Sequence, residues 1–191
     1  VHAVKRYRES SDRETTRELA SYPQLFGEIR QPDTDYFIVP RHTGEDRLVI
    51  PVAKFPPNGI CGDANLLIAD PSLYVFGIIQ SLMHMAWVRS VCGRLESRYR
   101  YSAGIVYNNF PWPEPTDKQR MNIEHAAQGV LDARALFKTS SLADLYDPDT
   151  TPPELTKAHQ VLNRAVDAAY GKLTFTSEAE RVAYLFELYR K

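Results

Sequence analysis

Three side chains in the run Val91 to Pro113, VCGRLESRYRYSAGIVYNNFPWP, are suited to reading the edge of a base: Glu96, Arg98 and Arg100. In an extended segment, residues two apart share a face at about 6–7 Å spacing, so these three form one polar row while Ser97, Tyr99 and Tyr101 face the other way. An arginine fork donates to both O6 and N7 of guanine, and a carboxylate accepts from the cytosine amine. Glu96 with Arg98 could therefore address both halves of one C·G pair. The same row also reads as an exposed ion-pair ladder worth under about 1 kcal/mol. Residue types alone leave both readings open.

Other chemistry is less well supplied. Asn109-Phe110-Pro111-Trp112 differs at one position from the Asn/Asp-Pro-Pro-aromatic tetrapeptide with which amino-methyltransferases hold a target amine. That chemistry needs a first proline to fix the backbone so that oxygens accept both amine hydrogens, and Phe110 cannot fix φ. No strand followed by a Gly-rich turn and a helix is present to bind S-adenosylmethionine, so no catalytic residue and no cofactor are expected in this chain. Of the five histidines, only His42 has nearby acids (Glu45 and Asp46), without a Cys or second His beside them, so no metal site is expected. His84 lies in an apolar run and reads as a core or interface residue. Cys92, at the end of a helical pattern, lacks the helix N-terminus that would lower its pKa.

The elements that must position these residues follow from periodicity. Ser11 to Ser21 reads as a short capped helix closed by Pro23. Tyr36 to Val39 and Leu48 to Ala53 are strand-like runs with a hairpin-like connection, Pro51 demoting the second towards an edge. Asn65 to Ala69 is a further short strand. From Leu73 to Val91 apolar residues recur at steps of three and four, which predicts one long buried helix. Arg98 to Tyr107 is expected to be extended as far as the cluster Pro111, Pro113 and Pro115, a candidate boundary. Beyond it, Asp117–Phe137, Pro153–Tyr170 and Ser177–Arg190 carry helical spacing. The expected fold class is α+β: a small mixed sheet with a long buried helix over residues 1–113, then a bundle of about three helices over 114–191.

Composition excludes several classes. The 191 residues are 43% hydrophobic and 25% charged, which argues for a packed globular chain. Lys+Arg exceed Asp+Glu by 13 to 12 in residues 1–113 and trail by 10 to 12 in 114–191, so neither half is a basic tail. Local clusters matter more. Lys5, Arg6, Arg8, Arg13 and Arg17 crowd the start, and Arg89, Arg94, Arg98 and Arg100 fall close together. Of these, Arg6, Arg8, Arg89 and Arg94 are candidate contacts to the DNA backbone. Around the first cluster, Glu9, Asp12, Glu14 and Glu18 allow the alternative of an ordinary solvated helix face. Two cysteines without an apolar leader point to a reducing, cytoplasmic setting, no run is long enough to span a membrane, and Val1 in place of Met implies a piece of something longer.

The runs SSDRETTRELASYPQLFGEIRQPDTDYFIVPR, SLMHMAWVRSVCGRLESRYRYSAGIVYNNFPWPEP and LTKAHQVLNRAVDAAYG closely resemble the C-terminal part of the type IIL (Mme-type) restriction-modification enzymes. Those enzymes join an endonuclease, an adenine-N6 methyltransferase and a target recognition domain in one polypeptide. The resemblance implies that residues 1–113 are the latter part of a DNA target recognition domain and 114–191 the helical C-terminal domain. It implies double-stranded DNA as partner, together with the preceding methyltransferase domain of the same polypeptide. It also implies that the two positions flanking Ser97 specify one base pair and change together, a Glu/Arg pair for one orientation and Lys/Asp for the other. Here they are Glu96 and Arg98. A second base position is implied for Ala64 with Arg100. The catalytic tetrapeptide, the S-adenosylmethionine site and the nuclease motif of the family would all precede Val1. The rival expectation is a protein-interaction module docking through Trp87, Trp112 and the tyrosines.

Overall fold

The computed structural model describes every residue except 28–29, 71, 172–174 and 191. Two compact units are present, Val1–Pro32 and Asp33–Lys191.

The first unit is held by its arginines. Helix α1 spans His2–Glu9, and α2 spans Glu14–Glu18 before tightening into a 3-10 turn at Leu19–Ser21. The Arg8 fork donates to the carbonyls of Leu19 (2.8 Å), Tyr22 (3.0 Å) and Leu25 (2.8 Å), tying α1 to the turns that follow α2. The expected helix from Ser11 starts later, because the Ser11 hydroxyl accepts from the Arg13 N–H in a local turn instead of capping. Helix α1 was not anticipated: it is about two turns long, mostly charged, and buries nothing.

In the second unit strand β1 (Tyr36–Pro40) is followed, after Arg41 alone, by β2 (His42–Thr43). Strand β3 is Ala53–Phe55 and β4 is Asn65–Ala69. One three-stranded sheet has the order β3-β1-β4, with Phe37 opposite both Lys54 and Ile68. The expected strand from Leu48 pairs only from Ala53 onward. Its first part, around Pro51, packs Val49, Ile50 and Val52 into the core without ladder bonds.

The long helix expected from Leu73 to Val91 is two: α3 (Leu73–Ile79) and α4 (Leu82–Val91). Ser81 interrupts it, its hydroxyl accepting from the His84 N–H as an N-cap while donating to the Ile78 carbonyl at 2.6 Å. The amide of Gln80, fully buried at the break, bonds the Ile50 carbonyl and accepts from Arg134. After α4 come β5 (Gly93–Leu95) and β6 (Arg98–Arg100), which with β2 form a second three-stranded sheet in the order β2-β6-β5. All pairing among the described residues is antiparallel and divided between two sheets, where a single mixed sheet was expected. Nor does the extended run continue to Tyr107: Ser102 caps a π-helical turn over Ala103–Tyr107.

The C-terminal helices match their predicted spacing: α5 (Asp117–Ala135), α7 (Pro153–Ala169) and α8 (Glu178–Tyr189), with a short α6 (Leu142–Leu145) in the intervening loop. Thr116 and Gln119 close a capping box on α5, and Pro153 occupies the first position of α7. Phe76 and Ile79 of α3 share one core with Ile123 and Val130 of α5, Leu162 and Val166 of α7, and Leu185 of α8. Gly77 is where α3 comes closest, since a β-carbon there would stand 2.8 Å from the Ile123 Cγ2. No helix among the described residues is long and apolar enough to cross a membrane.

Candidate nucleic-acid interface

Strand β6 carries Arg98 and Arg100 exposed with Tyr99 buried between them, the alternation of a half-covered strand. Directly opposed residues in an antiparallel ladder share a face. Arg100 faces Gly93 on one side and His42 on the other, and Arg98 faces Leu95. The solvent face of this sheet is therefore His42, Arg100, Gly93, Arg98 and Leu95. Gly93 offers no side chain beside the exposed Arg100.

Glu96 is not on the strand, as simple alternation supposed. With Ser97 it forms the two-residue loop of the β5–β6 hairpin, since Leu95 pairs with Arg98. Glu96 has φ +57° and Ser97 is not among the positive-φ residues, the pattern of a type II′ turn. The turn nevertheless brings the acid to its expected neighbour: Arg98 Nη2 donates to Glu96 Oε2 at 2.5 Å, with side chains 50% and 76% exposed. The row thus holds an exposed ion pair whose free edges face solvent. Arg100 has no ion pair among the described residues, and none of the three is turned inward.

Ala64 reaches the same region through a single residue. The Arg41 N–H donates to the Ala64 carbonyl at 3.1 Å, and the Tyr101 N–H donates to the Arg41 carbonyl at 2.8 Å. Arg41 is the link between β1 and β2, so the exposed Ala64 and Arg100 flank the point where the chain passes from one sheet to the other. Spacing in sequence gave no sign of this, nor of His42 as a neighbour of Arg100, because both relations are cross-strand.

The four expected backbone contacts separate. Arg6 is exposed on α1, whereas the Arg8 donors are spent on the carbonyls of its own unit. Arg89 bonds Glu178 of α8 and donates to the Arg47 carbonyl at 2.9 Å, so it ties α8 to α4. Arg94 lies on the face of β5 opposite to Arg98, its guanidinium 4.0 Å over the Tyr99 ring.

The remaining chemistry-bearing residues are structural. Asn109 Nδ2 donates to the carbonyls of Gly104 (2.8 Å) and Ile105 (3.2 Å), and Phe110 is buried edge-on against His84 and Trp112 at 4.6 and 5.3 Å. His84 is fully buried, its Nε2 2.9 Å from the Tyr101 hydroxyl, and burial lowers its pKa to about 3. Burial raises the Cys61 and Cys92 thiols, the opposite of activation. His42 gathers no partners for a metal, and no cluster able to hold one occurs among the described residues. Trp87 is 2% exposed and donates to the Val106 carbonyl at 3.1 Å, so it presents no docking face to another protein.

Two family models cover the chain: "MmeI, target recognition domain" matches residues 1–114 and "MmeI, C-terminal domain" residues 115–191. The chain belongs to the MmeI family. It is 38% identical over all 191 residues to DNA methyltransferase A of Bacillus subtilis (strain 168), covering 22% of that protein. It also superposes on the solved structure of the type IIL restriction-modification enzyme MmeI in complex with DNA, with a TM-score of 0.90 and 46% identity. That match covers 99% of this chain and 25% of the MmeI chain. The chain thus spans about a quarter of the length of these relatives. Within the MmeI-family chain the segments matched by the two models share the core described above, so the β2-β6-β5 face is carried on the C-terminal helices as well as on its own sheets.

Proposed function

We propose that this chain selects the DNA sequence on which a larger restriction-modification adenine-N6 methyltransferase acts. The observation that carries the reading is the exposed acid and two guanidiniums on one hairpin, in a chain that superposes on DNA-bound MmeI. The end of this sheet at the Glu96–Ser97 turn is the two-stranded β5–β6 hairpin, a ribbon of the kind the major groove admits, where Arg98 and Arg100 would meet guanine and Glu96 the cytosine amine. Glu96 and Arg98 read one base pair together, and Ala64 with Arg100 a second, the shared Arg41 link holding that second pair in register. Arg6 remains a candidate phosphate contact. Arg8, Arg89 and Arg94 in their present bonds stabilise the fold around the site. Methyl transfer, its S-adenosylmethionine and any nuclease activity belong to the rest of the polypeptide, this chain holding the duplex in register for a base flipped elsewhere. Such a protein works in the cytoplasm, where the chromosome lies.

Selection from a random duplex library with the full-length protein, followed by sequencing, tests the reading. A defined motif is expected, with affinity falling log-linearly as salt rises. Binding without sequence preference would overturn it. A partner protein retained at high salt would favour a protein-docking role.

A further inference from the structure

Arg94 stands directly behind the recognition turn. Its cross-strand partner is Tyr99, which is 4% exposed, and the guanidinium lies 4.0 Å over that ring. Arg94 Nη1 donates at 2.8 Å to the carbonyl of Ser97, the second residue of the loop. The Tyr99 hydroxyl in turn reaches the Glu45 carbonyl at 3.4 Å. Glu45, Tyr99, Arg94 and Ser97 thus form a column on the face away from Arg98 and Arg100, and it ends on the Ser97–Arg98 peptide, between the turn and the strand that carries Arg98.

The turn needs such a brace. Its first position has φ +57°, a conformation that glycine holds easily and glutamate does not. The loop contains no glycine, asparagine or aspartate that would favour it locally. A carbonyl fixed from behind limits how far the loop can pivot, and with it the carboxylate that Arg98 shares. The charge of Arg94 is not free to follow a phosphate on the opposite face.

We infer that Arg94 is a positioning residue for base selection, bracing the Glu96–Ser97 turn from behind rather than contacting the DNA backbone. The inference rests on Glu96 and Arg98 reading a base pair. Its distinctive consequence is loss of discrimination at that pair alone.

The experiment uses the full-length protein carrying Arg94→Ala or Arg94→Lys, with the motif selected from a random duplex library and affinities measured across a salt series. Both variants should lose discrimination at the Glu96/Arg98 base pair by roughly tenfold. Discrimination at the Ala64/Arg100 pair and the log–log salt slope should be unchanged. Arg94→Lys keeps the charge but not the stacked, planar fork, so it should fail as Arg94→Ala does. It also decides the matter if the alanine variant folds poorly. A slope reduced by about one with the motif intact would make Arg94 a phosphate contact and overturn the inference. An unaltered motif and slope, or a loss spread evenly over all positions, would overturn it too. If Glu96→Lys with Arg98→Asp leaves the wild-type motif where it was, the base-reading assignment falls first and this inference with it.

Discussion

Glu96 places a charged side chain where the backbone prefers glycine, at a strain of roughly 1–2 kcal/mol. Such strain persists when the side chain is needed there. Glu96→Gly should therefore raise thermal stability, by about 1 kcal/mol in unfolding experiments, while abolishing choice at one base pair in library selection. Exchange of both proposed readers, Glu96→Lys with Arg98→Asp, should turn that base pair round. Either change alone should cost roughly 1–3 kcal/mol of cognate binding, because one base edge is left unpaired. The grouping of Glu96, Arg98 and Arg100 was legible from residue type. Their geometry was not, since Glu-Ser carries no turn signature and alternation assumed a strand where the chain folds back.

Elements were legible in proportion to how one-sided they are. Helices α5, α7 and α8 each bury one stripe and leave the rest to water, so their spacing announces them. The α3–α4 segment is buried nearly all round, and its apolar period runs across the break unchanged. What divides it is Ser81 beside Gln80, whose bonds go to Ile50 and Arg134, residues far away in sequence. Ser102 likewise starts the turn at Ala103–Tyr107 with a hydroxyl that accepts from the Ile105 N–H. That segment also decides the fate of the near-motif at Asn109. Phe110→Pro would complete the Asn-Pro-Pro-aromatic sequence, yet it removes a ring packed on His84, Trp87 and Trp112 and the N–H bonded to the Tyr107 carbonyl. Denaturant unfolding should show a loss of about 3–5 kcal/mol.

At the scale of the whole molecule, buried polar groups make stability depend on pH. Burial lowers His84 to about 3, and burial with the neighbouring Arg134 charge lowers His159 to about 4. In the unfolded chain both imidazoles take up protons near 6.5. Below that pH the unfolded state binds protons that the folded state refuses, so stability is complete above about pH 6.5 and is lost progressively towards pH 4 and 3. Each residue contributes a slope of about 1.4 kcal/mol per pH unit, and His159→Gln should roughly halve the decline measured by melting between pH 6 and 4. His159 accepts its place through Tyr146, whose hydroxyl also takes donors from Arg134, itself bonded to Gln80 and the Val52 carbonyl. None of this network could be read from the sequence, since its members come from five separate stretches.

Gly77 gives that shared interior a practical meaning. With Ile123, Leu162 and Ala127 pressed to within 3.3 Å of where its β-carbon would be, α3 is fitted to its own α5 and α7 and to few others. A transplant spliced between residues 114 and 115 would seat a foreign helical pair on this notch and should come out insoluble. One cut near Asp33 carries matched surfaces with it and should yield soluble chimeras with the donor's sequence preference, which makes the larger piece the currency for exchanging specificity.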